Sequence, residues 1–539
     1  MDEKRNTNFQ GKRPSSGRPL RSGNGQPSGG KPSGGRAVRS GNGGKPAGSR
    51  SGQGFRKDGQ AQFGNKRPGN SGRPVRSLNG RPGASRQPER KPEVEGMAPR
   101  RIALRVIRQV TEQGAFASLC LDKALEDCGL ISADRRLVSR LVYDTLDHLI
   151  YLDWCLGQVM AREDTDIKLR NILRLGACQI LLEDRIPESA ATNTCVQLCV
   201  ENGMEGLKGV CNGILRNLVR KKDELVFPDP ETEPDKADAI RFSIPEWLWI
   251  RLREAYGREE AVKILDVRQG TESWTVRPNL TKLSDKEFEE LLEKKVWEKE
   301  KTDLPHAWRI RGAMNIARDA DFTSGNFSIM TGGSMIACLA MDVRRGKQIL
   351  DCCAAPGGKT CYLAEIMGGT GRVQAWDVHE HRTALIEAQA KRLGLENIRP
   401  MVRDALKARE DLRQTMDGVL LDAPCTGLGM LAEKPDIKLR VTEDSLRELT
   451  EIQRKMLDTV CEYVKEGGTL VYSTCSILPE ENEKQAEDFL QRHPEFEAAL
   501  LPETIPERYT QYRKTGLQLL EYRDGVEGFY VCRFRRRRV

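Results

Sequence analysis

Two cysteines stand at the ends of apolar runs that read as strands. Asp422-Ala423-Pro424-Cys425-Thr426-Gly427 closes the run at 418–422, and Tyr472-Ser473-Thr474-Cys475-Ser476 closes the run at 469–473. A thiolate is a strong nucleophile when a neighbour lowers its pKa or removes its proton. Adding a thiolate to carbon 6 of a cytosine makes the unreactive carbon 5 an enamine carbon that can attack an electrophilic methyl group. A carboxylic acid at ring nitrogen 3 would assist by protonation or hydrogen bonding, and a second group must then take the proton from carbon 5. Asp422, Cys425 and Cys475 meet these demands. On residue type alone, two buried structural cysteines are the more economical reading, because free cysteine is usually buried and inert.

A second stretch looks built for a ligand. Asp351-Cys352-Cys353-Ala354-Ala355-Pro356-Gly357-Gly358-Lys359-Thr360 lies between the apolar Gln348-Ile349-Leu350 and a helix expected from Cys361. It is a strand-to-helix turn, the place where open α/β sheets bind ligands. Pro356 fixes one backbone angle, and Gly357 and Gly358 allow unusual angles and close approach to the main chain. The loop matches neither Gly-x-Gly-x-x-Gly nor a Walker loop, so an adenosine cofactor other than a dinucleotide or nucleoside triphosphate is indicated. Asp377, ending the next apolar run, suits the two ribose hydroxyls, and Asp404 suits the adenine amino group. The competing reading of each carboxylate is an ordinary helix N-cap.

The elements that must position these groups follow from periodicity. Strands are expected at 348–351, 373–377, 399–402, 418–422 and 469–473 with helices between them, a doubly wound α/β arrangement over residues 325–539. Right-handed crossovers place the strand C-terminal ends on one edge. Asp351, Asp377, Asp404, Asp422 and Ser473 then border one crevice.

Upstream, the chain divides into four further parts. Residues 1–96 are dominated by Gly, Ser, Pro, Arg, Asn and Gln and are expected to be a disordered basic tail. They hold roughly 21 Lys and Arg against roughly 6 Asp and Glu, so the formal charge of +9 divides into about +15 there and about −6 in the rest. Such a tail either neutralises phosphates non-specifically or is a solubilising extension. Residues 97–225 read as all-helical, with runs at 135–154, 167–182, 189–200 and 207–220. In the first run Ile102, Ala103, Val106, Ile107 and Val110 share one face and Arg101, Arg105 and Arg108 the other. Residues 226–239, with Pro228, Pro230 and Pro234, read as a linker, and 240–324 as a small α+β module. Trp247 and Trp249 in that module fit a helix core better than an RNA base.

Composition excludes several classes. Fifteen cysteines and only five histidines, with no Cys-x-x-Cys pair, favour reduced thiols over a disulfide frame or zinc site. No window approaches the roughly 20 apolar residues of a membrane span, and no apolar leader follows Met1. A cytoplasmic monomer without metal is expected.

Four blocks carry a family resemblance. Cys353-Ala354-Ala355-Pro356-Gly357-Gly358-Lys359-Thr360, Leu421-Asp422-Ala423-Pro424-Cys425, Lys434-Pro435-Asp436-Ile437-Lys438 and Tyr472-Ser473-Thr474-Cys475-Ser476-Ile477-Leu478-Pro479-Glu480-Glu481-Asn482 resemble, in order, the signatures of the Sun/Nop family of RNA cytosine-5 methyltransferases. Arg170-Asn171-Ile172-Leu173-Arg174-Leu175-Gly176-Ala177 and Asn212-Gly213-Ile214-Leu215-Arg216-Asn217-Leu218 resemble NusB-like RNA-binding domains. The resemblance spans 97–539 and implies a Rossmann-like S-adenosylmethionine methyltransferase domain preceded by an all-α NusB-like domain and a small α+β module.

The substrate it implies is a cytosine of small-subunit ribosomal RNA. It makes Cys475 the nucleophile, Cys425 the cysteine of product release and Asp422 a contact of both base and cofactor. Cys353, Ala354, Ala355, Pro356, Gly357, Gly358 and Lys359, with Asp377, Asp404 and Asp422, become the cofactor site, and Lys434, Lys438, Arg101 and Arg105 RNA contacts. A transfer-RNA methyltransferase and a non-catalytic ribosome-assembly factor are the competing functions. Where the family carries a Gln-Asp pair before the first strand, this chain has Ser328-Ile329-Met330-Thr331-Gly332-Gly333. Its end, Arg535 to Arg538, reads as an RNA contact or a frayed, solvated terminus.

Overall fold

The computed structural model describes residues 95–126, 128–162, 164–267, 273–313, 316–510 and 516–538. The expected tail thus lies outside the described residues, save its last two. From Met97 the chain forms α1 (Met97–Gln113), α2 (Ala117–Glu126), α3 (Ser132–Asp147), α4 (Leu149–Gly157), α5 (Ile167–Leu181), α6 (Glu188–Glu201) and α7 (Lys208–Lys221). The α1 stripe of Ala103, Val106, Ile107 and Val110 is buried with Leu141, Ile172 and Leu215 in one core. The single helix expected over 135–154 is two, broken at His148. Ser243 Oγ accepts the amides of Ile150 (2.9 Å) and Tyr151 (3.3 Å), so a side chain from a later element caps the new helix. No local pattern announces a cap from so far along the chain.

The stretch read as a linker holds α8 (Pro234–Arg241), with Pro234 in the first turn, where its missing N–H costs nothing. Asp238 in α8 is buried and accepts two bonds from Arg258 (2.7 and 3.0 Å). α9 (Glu246–Tyr256) and α10 (Arg258–Leu265) follow as expected. Trp249 is fully buried and donates its indole N–H to Asp235 (3.0 Å), and Trp247 packs beside the same core. That core also takes in Leu428, Ile437, Ile477 and Leu478, so these helices back the cysteine loops.

The remainder of the small module is a four-stranded antiparallel sheet in the order β2–β3–β1–β4, from β1 (Ser273–Pro278), β2 (Glu298–Lys301), β3 (Trp308–Arg311) and β4 (Phe327–Ile329). Helix α11 (Asp285–Glu293) packs Phe288 and Leu292 on it, and α12 (Ala320–Thr323) leads into β4. The sheet thus extends past residue 324, because β4 pairs with β1.

After α13 (Gly332–Ala340) comes the large sheet: β5 (Gln348–Asp351), β6 (Arg372–Asp377), β7 (Ile398–Val402), β8 (Met416–Asp422), β9 (Val464–Thr474), β10 (Phe496–Ala498), β11 (Leu517–Leu519) and β12 (Phe529–Arg536). Its order is β10–β12–β9–β8–β5–β6–β7, with β11 paired to β12. The five expected strands β5 to β9 are all present and mutually parallel. Alternate residues face opposite layers. Ile349, Leu420 and Val471 meet α14 (Gly358–Ile366) and α15 (Glu380–Leu393), while Leu350, Leu421 and Tyr472 meet α16 (Glu443–Val460) and α17 (Glu483–Arg492). Strand order reverses between β5 and β8, which makes their C-terminal ends the ligand crevice of such a sheet.

Arg535 to Arg537 are tied to the sheet rather than frayed, while the side chains of Arg535, Arg537 and Arg538 are exposed. Arg535 is paired with Thr469 in the antiparallel β12–β9 ladder, Arg536 donates to Val464 O (3.2 Å), and Arg537 lies 3.6 Å from Glu497.

One buried ion pair joins the small sheet to helix α14. Arg277 of β1 and Glu365 of α14, 1% and 0% exposed at their side chains, form a two-pronged bridge at 2.6 and 3.2 Å. Glu365 also accepts the amide of Leu280 (3.1 Å), and the guanidinium lies 4.1 Å from the Tyr362 ring centre. Removing one member strands the other charge without water. Arg277→Ala is therefore expected to lower the unfolding free energy by about 3–5 kcal/mol, measured by urea denaturation. A loss below about 1 kcal/mol would show that the pair does not join these layers.

Candidate active site

The glycine loop runs from the end of β5 into α14. Ala354 N–H donates to Trp376 O (2.8 Å), which ties the loop to β6. Gly357 adopts φ 108°, and a Cβ there would meet Ile386 Cα at 3.1 Å, so only glycine fits. A Cβ on Gly358 would meet nothing within 4 Å, leaving the first turn of α14 accessible with amides that lack a partner one turn earlier. Behind the loop, Asp351 is fully buried. Thr360 Oγ1 donates to its Oδ2 (2.6 Å), its Oδ1 has no partner, and burial pushes the carboxyl up to about 7.

The acidic strand ends line up beside this loop. Asp377 accepts the amide of His379 (3.1 Å) and lies 3.5 Å from Arg382. Asp404 accepts the amide of Leu406 (3.0 Å) and lies 3.3 Å from Lys407. Both make the turn contacts of the capping alternative, yet each carboxylate keeps lone pairs for a ligand. Beside Asp404 opens a cleft of about 530 Å³ lined by Trp376, Val378, Val402, Arg403 and Lys407. Val378 and Val402 are 53% and 44% exposed there, an apolar floor for a flat ring.

On the other side of the switch point, β8 and β9 pair Asp422 with Ser473. Ser473 Oγ donates to Asp422 Oδ1 (2.7 Å) and Lys359 Nζ to Oδ2 (2.8 Å). Lys359 therefore reaches from the glycine loop to the cysteine side of the crevice. Burial opposes its charge, but Asp422 prevails and holds the ammonium above its usual range.

The two cysteines meet. Cys425 Sγ and Cys475 Sγ are 3.3 Å apart. The hydrogen bond from Cys425 pulls Cys475 below the usual thiol range against burial, and Lys359 and Lys434 act in the same direction while Asp422 opposes. Cys425 moves the other way, raised by that same contact, by burial and by the negative charges of Cys475 and Glu481. The backbones also close on each other: Gly429 N–H donates to Cys475 O (2.9 Å), and a Cβ at Gly429 would strike Gly528 O at 1.8 Å.

Of the other expected site residues, Cys353 and Ala355 are half-buried, Ala354 is buried and Pro356 is exposed at the loop's tip. Cys352 is buried against the sheet. Where the Gln-Asp pair is replaced, Gly333 N–H instead donates to Glu527 Oε1 (2.9 Å), bringing β12's approach onto the start of α13. Lys434 is exposed and Arg105 is exposed, whereas Arg101 is bound to Glu201 (2.7 and 2.9 Å).

Lys438 is a correction. It is 5% exposed, and its ammonium donates to Asp147 at the end of α3 (2.6 Å) and to Phe242 O (3.2 Å), so it is not a phosphate contact. The same block docks on the helical domain through Asp436, which accepts Ala117 N–H (3.3 Å), and Arg440, which covers the Phe116 ring at 4.1 Å.

Residues missed from sequence are Glu481, Asn482 and Gln453, buried polar groups behind the cysteine loops. For Glu481 and Asn482 the only signal is membership of a block quoted for its cysteine, and Gln453, in α16, lies in none of the quoted blocks. Away from the crevice, Cys461, His493 and Glu495 bring donor atoms within 4.8 Å of one another. His493 sits there between Asp458 (2.8 Å) and Glu495 (3.2 Å).

Comparison with known proteins agrees with this architecture. Residues 338–535 match the family described as 16S rRNA methyltransferase RsmB/F, and residues 97–220 the NusB family. A probable ribosomal RNA small subunit methyltransferase B of Bacillus subtilis is 34% identical over 444 residues, covering 81% of this chain and 98% of its own. The protein of that name in Synechocystis is 30% identical, covering 81% and 99%. The ribosomal RNA small subunit methyltransferase B of Yersinia pseudotuberculosis is 32% identical, covering 80% and 97%. Among solved structures, that of PH0851 superposes with a TM-score of 0.71 at 26% identity, covering 82% of this chain and 99% of its own.

The Lys438–Asp147 pair gives a direct check on the docking. Lys438→Met is expected to lower stability by about 1–2 kcal/mol, since Asp147 keeps partial hydration. Asp147→Asn should give a smaller loss, and the double variant less than the sum. Additive effects, or none, in urea denaturation would return Lys438 to the surface role its sequence suggested.

Proposed function

The chain belongs to the RsmB/F family of 16S rRNA methyltransferases, and from that membership and the crevice geometry we propose that it methylates carbon 5 of a cytosine in small-subunit ribosomal RNA, using S-adenosylmethionine. The observation that carries the chemistry is the 3.3 Å contact of Cys425 with Cys475 beside an anchored Asp422. A non-catalytic assembly factor would have no use for two thiols so placed.

The residues present fit the cofactor. Asp377 offers carboxylate lone pairs to ribose hydroxyls, Asp404 faces a cleft with an apolar floor suited to adenine, and Gly358 leaves the start of α14 open. S-adenosylmethionine supplies an electrophilic methyl group when bound.

The remaining steps belong to the chain's own groups. The target base must leave its stack to enter the crevice, which favours an RNA loop or an incompletely assembled particle. Cys475, the thiol with the lowered pKa, adds to carbon 6, forming the sulfur–carbon bond and giving carbon 5 its enamine character. Asp422 assists at ring nitrogen 3, and the Lys359 ammonium on the same carboxylate keeps a proton within reach. After methylation Cys425, once it has released its own proton to water, takes the proton from carbon 5 as a thiolate, the carbon 5–carbon 6 double bond re-forms as the carbon–sulfur bond breaks, and Cys475 departs as thiolate. Lys434 at the crevice and Arg105 on the helical domain supply cations for phosphates. None of the helices among the described residues is long and apolar enough to cross a membrane.

Cys475→Ala is expected to abolish methyl transfer while sparing cofactor binding, and Cys425→Ala to trap a covalent RNA adduct that runs slowly on a denaturing gel. Full turnover by the first variant would refute the nucleophile, and free turnover without adduct by the second would refute the release role. For the substrate, bisulfite sequencing of ribosomal RNA from a deletion strain should show one lost methylcytosine in the small subunit. If none is lost there, the ribosomal assignment fails.

A further inference from the structure

Glu481 is a fully buried carboxylate in the turn between β9 and α17, and its oxygens meet both cysteine loops. Oε1 accepts the amide of Thr426 (2.8 Å) and the side-chain amide of Gln453 (3.0 Å). Oε2 accepts the Thr426 hydroxyl (2.5 Å) and the Ser476 hydroxyl. Thr426 follows Cys425 and Ser476 follows Cys475, so one side chain holds the residue after each thiol.

Neighbouring groups complete the frame. Gln453 also donates to Pro424 O (2.9 Å), before Cys425. Asn482 accepts the Thr474 hydroxyl (2.5 Å) and donates to Ser476 O (2.9 Å), on either side of Cys475. Each cysteine is thereby gripped before and after. These four donors to Glu481 are neutral, which leaves its negative charge without a cation among these contacts. A buried charge so placed is costly if shape alone is required, because a neutral group of equal size would fill the same space more cheaply.

We propose that Glu481 is a positioning residue for the two-cysteine centre: its hydrogen bonds fix the residue after each thiol and so hold the thiols in contact, and its buried charge lies on the Cys425 side of the pair. The charged groups acting on the pair are Glu481, Asp422, Lys359 and Lys434. Glu481 acts on Cys425, where it disfavours a second negative charge, while the two lysines favour the thiolate of Cys475. Without Glu481 the two thiols compete for the proton on more equal terms. The proposal rests on Cys475 as the attacking thiol.

Glu481→Gln isolates the charge. The glutamine oxygen can accept from Thr426 N–H and Gln453, and its amide can donate to the hydroxyls of Thr426 and Ser476 once these rotate. In the full-length protein, alkylation by iodoacetamide as a function of pH, with each cysteine quantified by peptide mass spectrometry, reads the proton's position without methyl transfer. The wild type should label Cys475 first. Glu481→Gln should cut the preference for Cys475 over Cys425 by about tenfold, the equivalent of one pKa unit, and lower kcat with little change in KM for RNA. Glu481→Ala, which also frees the loops, should lose about 100-fold in kcat. Wild-type labelling and kcat in Glu481→Gln would overturn the proposal, even if the alanine variant does not fold. Failure of the parent reading is seen separately, as turnover in Cys475→Ala.

Discussion

The pairing of β8 with β9 is the constraint on which the centre depends. Their parallel register sets Leu421 against Tyr472 and Asp422 against Ser473, and one further step brings the chain to the loops of Cys425 and Cys475. A shift of one residue would send Asp422 to the other face of the sheet. The apolar layers prevent that shift, because Leu420 and Val471 belong to one core and Leu421 and Tyr472 to the other. Register at the crevice is thus enforced by packing on both sides of the sheet. The Ser473 to Asp422 hydrogen bond is the polar expression of the same alignment.

The parallel strands and their acidic ends were legible because they depend on local signals. Short apolar runs bounded by turn residues predict β5 to β9, and right-handed crossovers then predict the crevice. The antiparallel edge was not legible. β12 ends in a run of arginines, which reads as solvated in isolation, but its alternate residues enter the core and its backbone completes the β9 ladder. β10 and β11 are three residues each, too short to show a period. The break at His148 and the burial of Lys438 share one cause. Ser243 and Asp147, the partners that decide them, lie 93 and 291 residues away in sequence.

The site shows the same division. Residue type and position at a strand end single out Asp377, Asp404, Asp422, Cys425 and Cys475 as candidates, and the fold gathers them at one edge of the sheet. Nothing in the run Glu480-Glu481-Asn482 separates its two glutamates, since both are helix-neighbouring acids. Burial separates them: Glu480 lies near the surface bridged to Lys484 (2.9 Å), and Glu481 faces inward to four donors. Only tertiary structure turns one of two identical residues toward the thiols.

Docking of the helical domain follows from the block just after Cys425. Between Gly427 and Arg440 the chain passes from the cysteine loop to a face where Leu439 joins the helical core, Asp436 takes an amide of α2 and Lys438 meets α3. Lys434, exposed in the same segment, acts on the Cys475 thiol. The seven residues 434–440 therefore contact the NusB-like helical domain at one end and act on the Cys475 thiol at the other. Because Asp436 and Lys438 are tied to helices rather than to solvent, the cysteine loop cannot move far unless the helical domain moves with it. The orientation of that domain is in this way part of the geometry of the active site, and the ion pairs of this block do structural work that a free phosphate-binding lysine could not do.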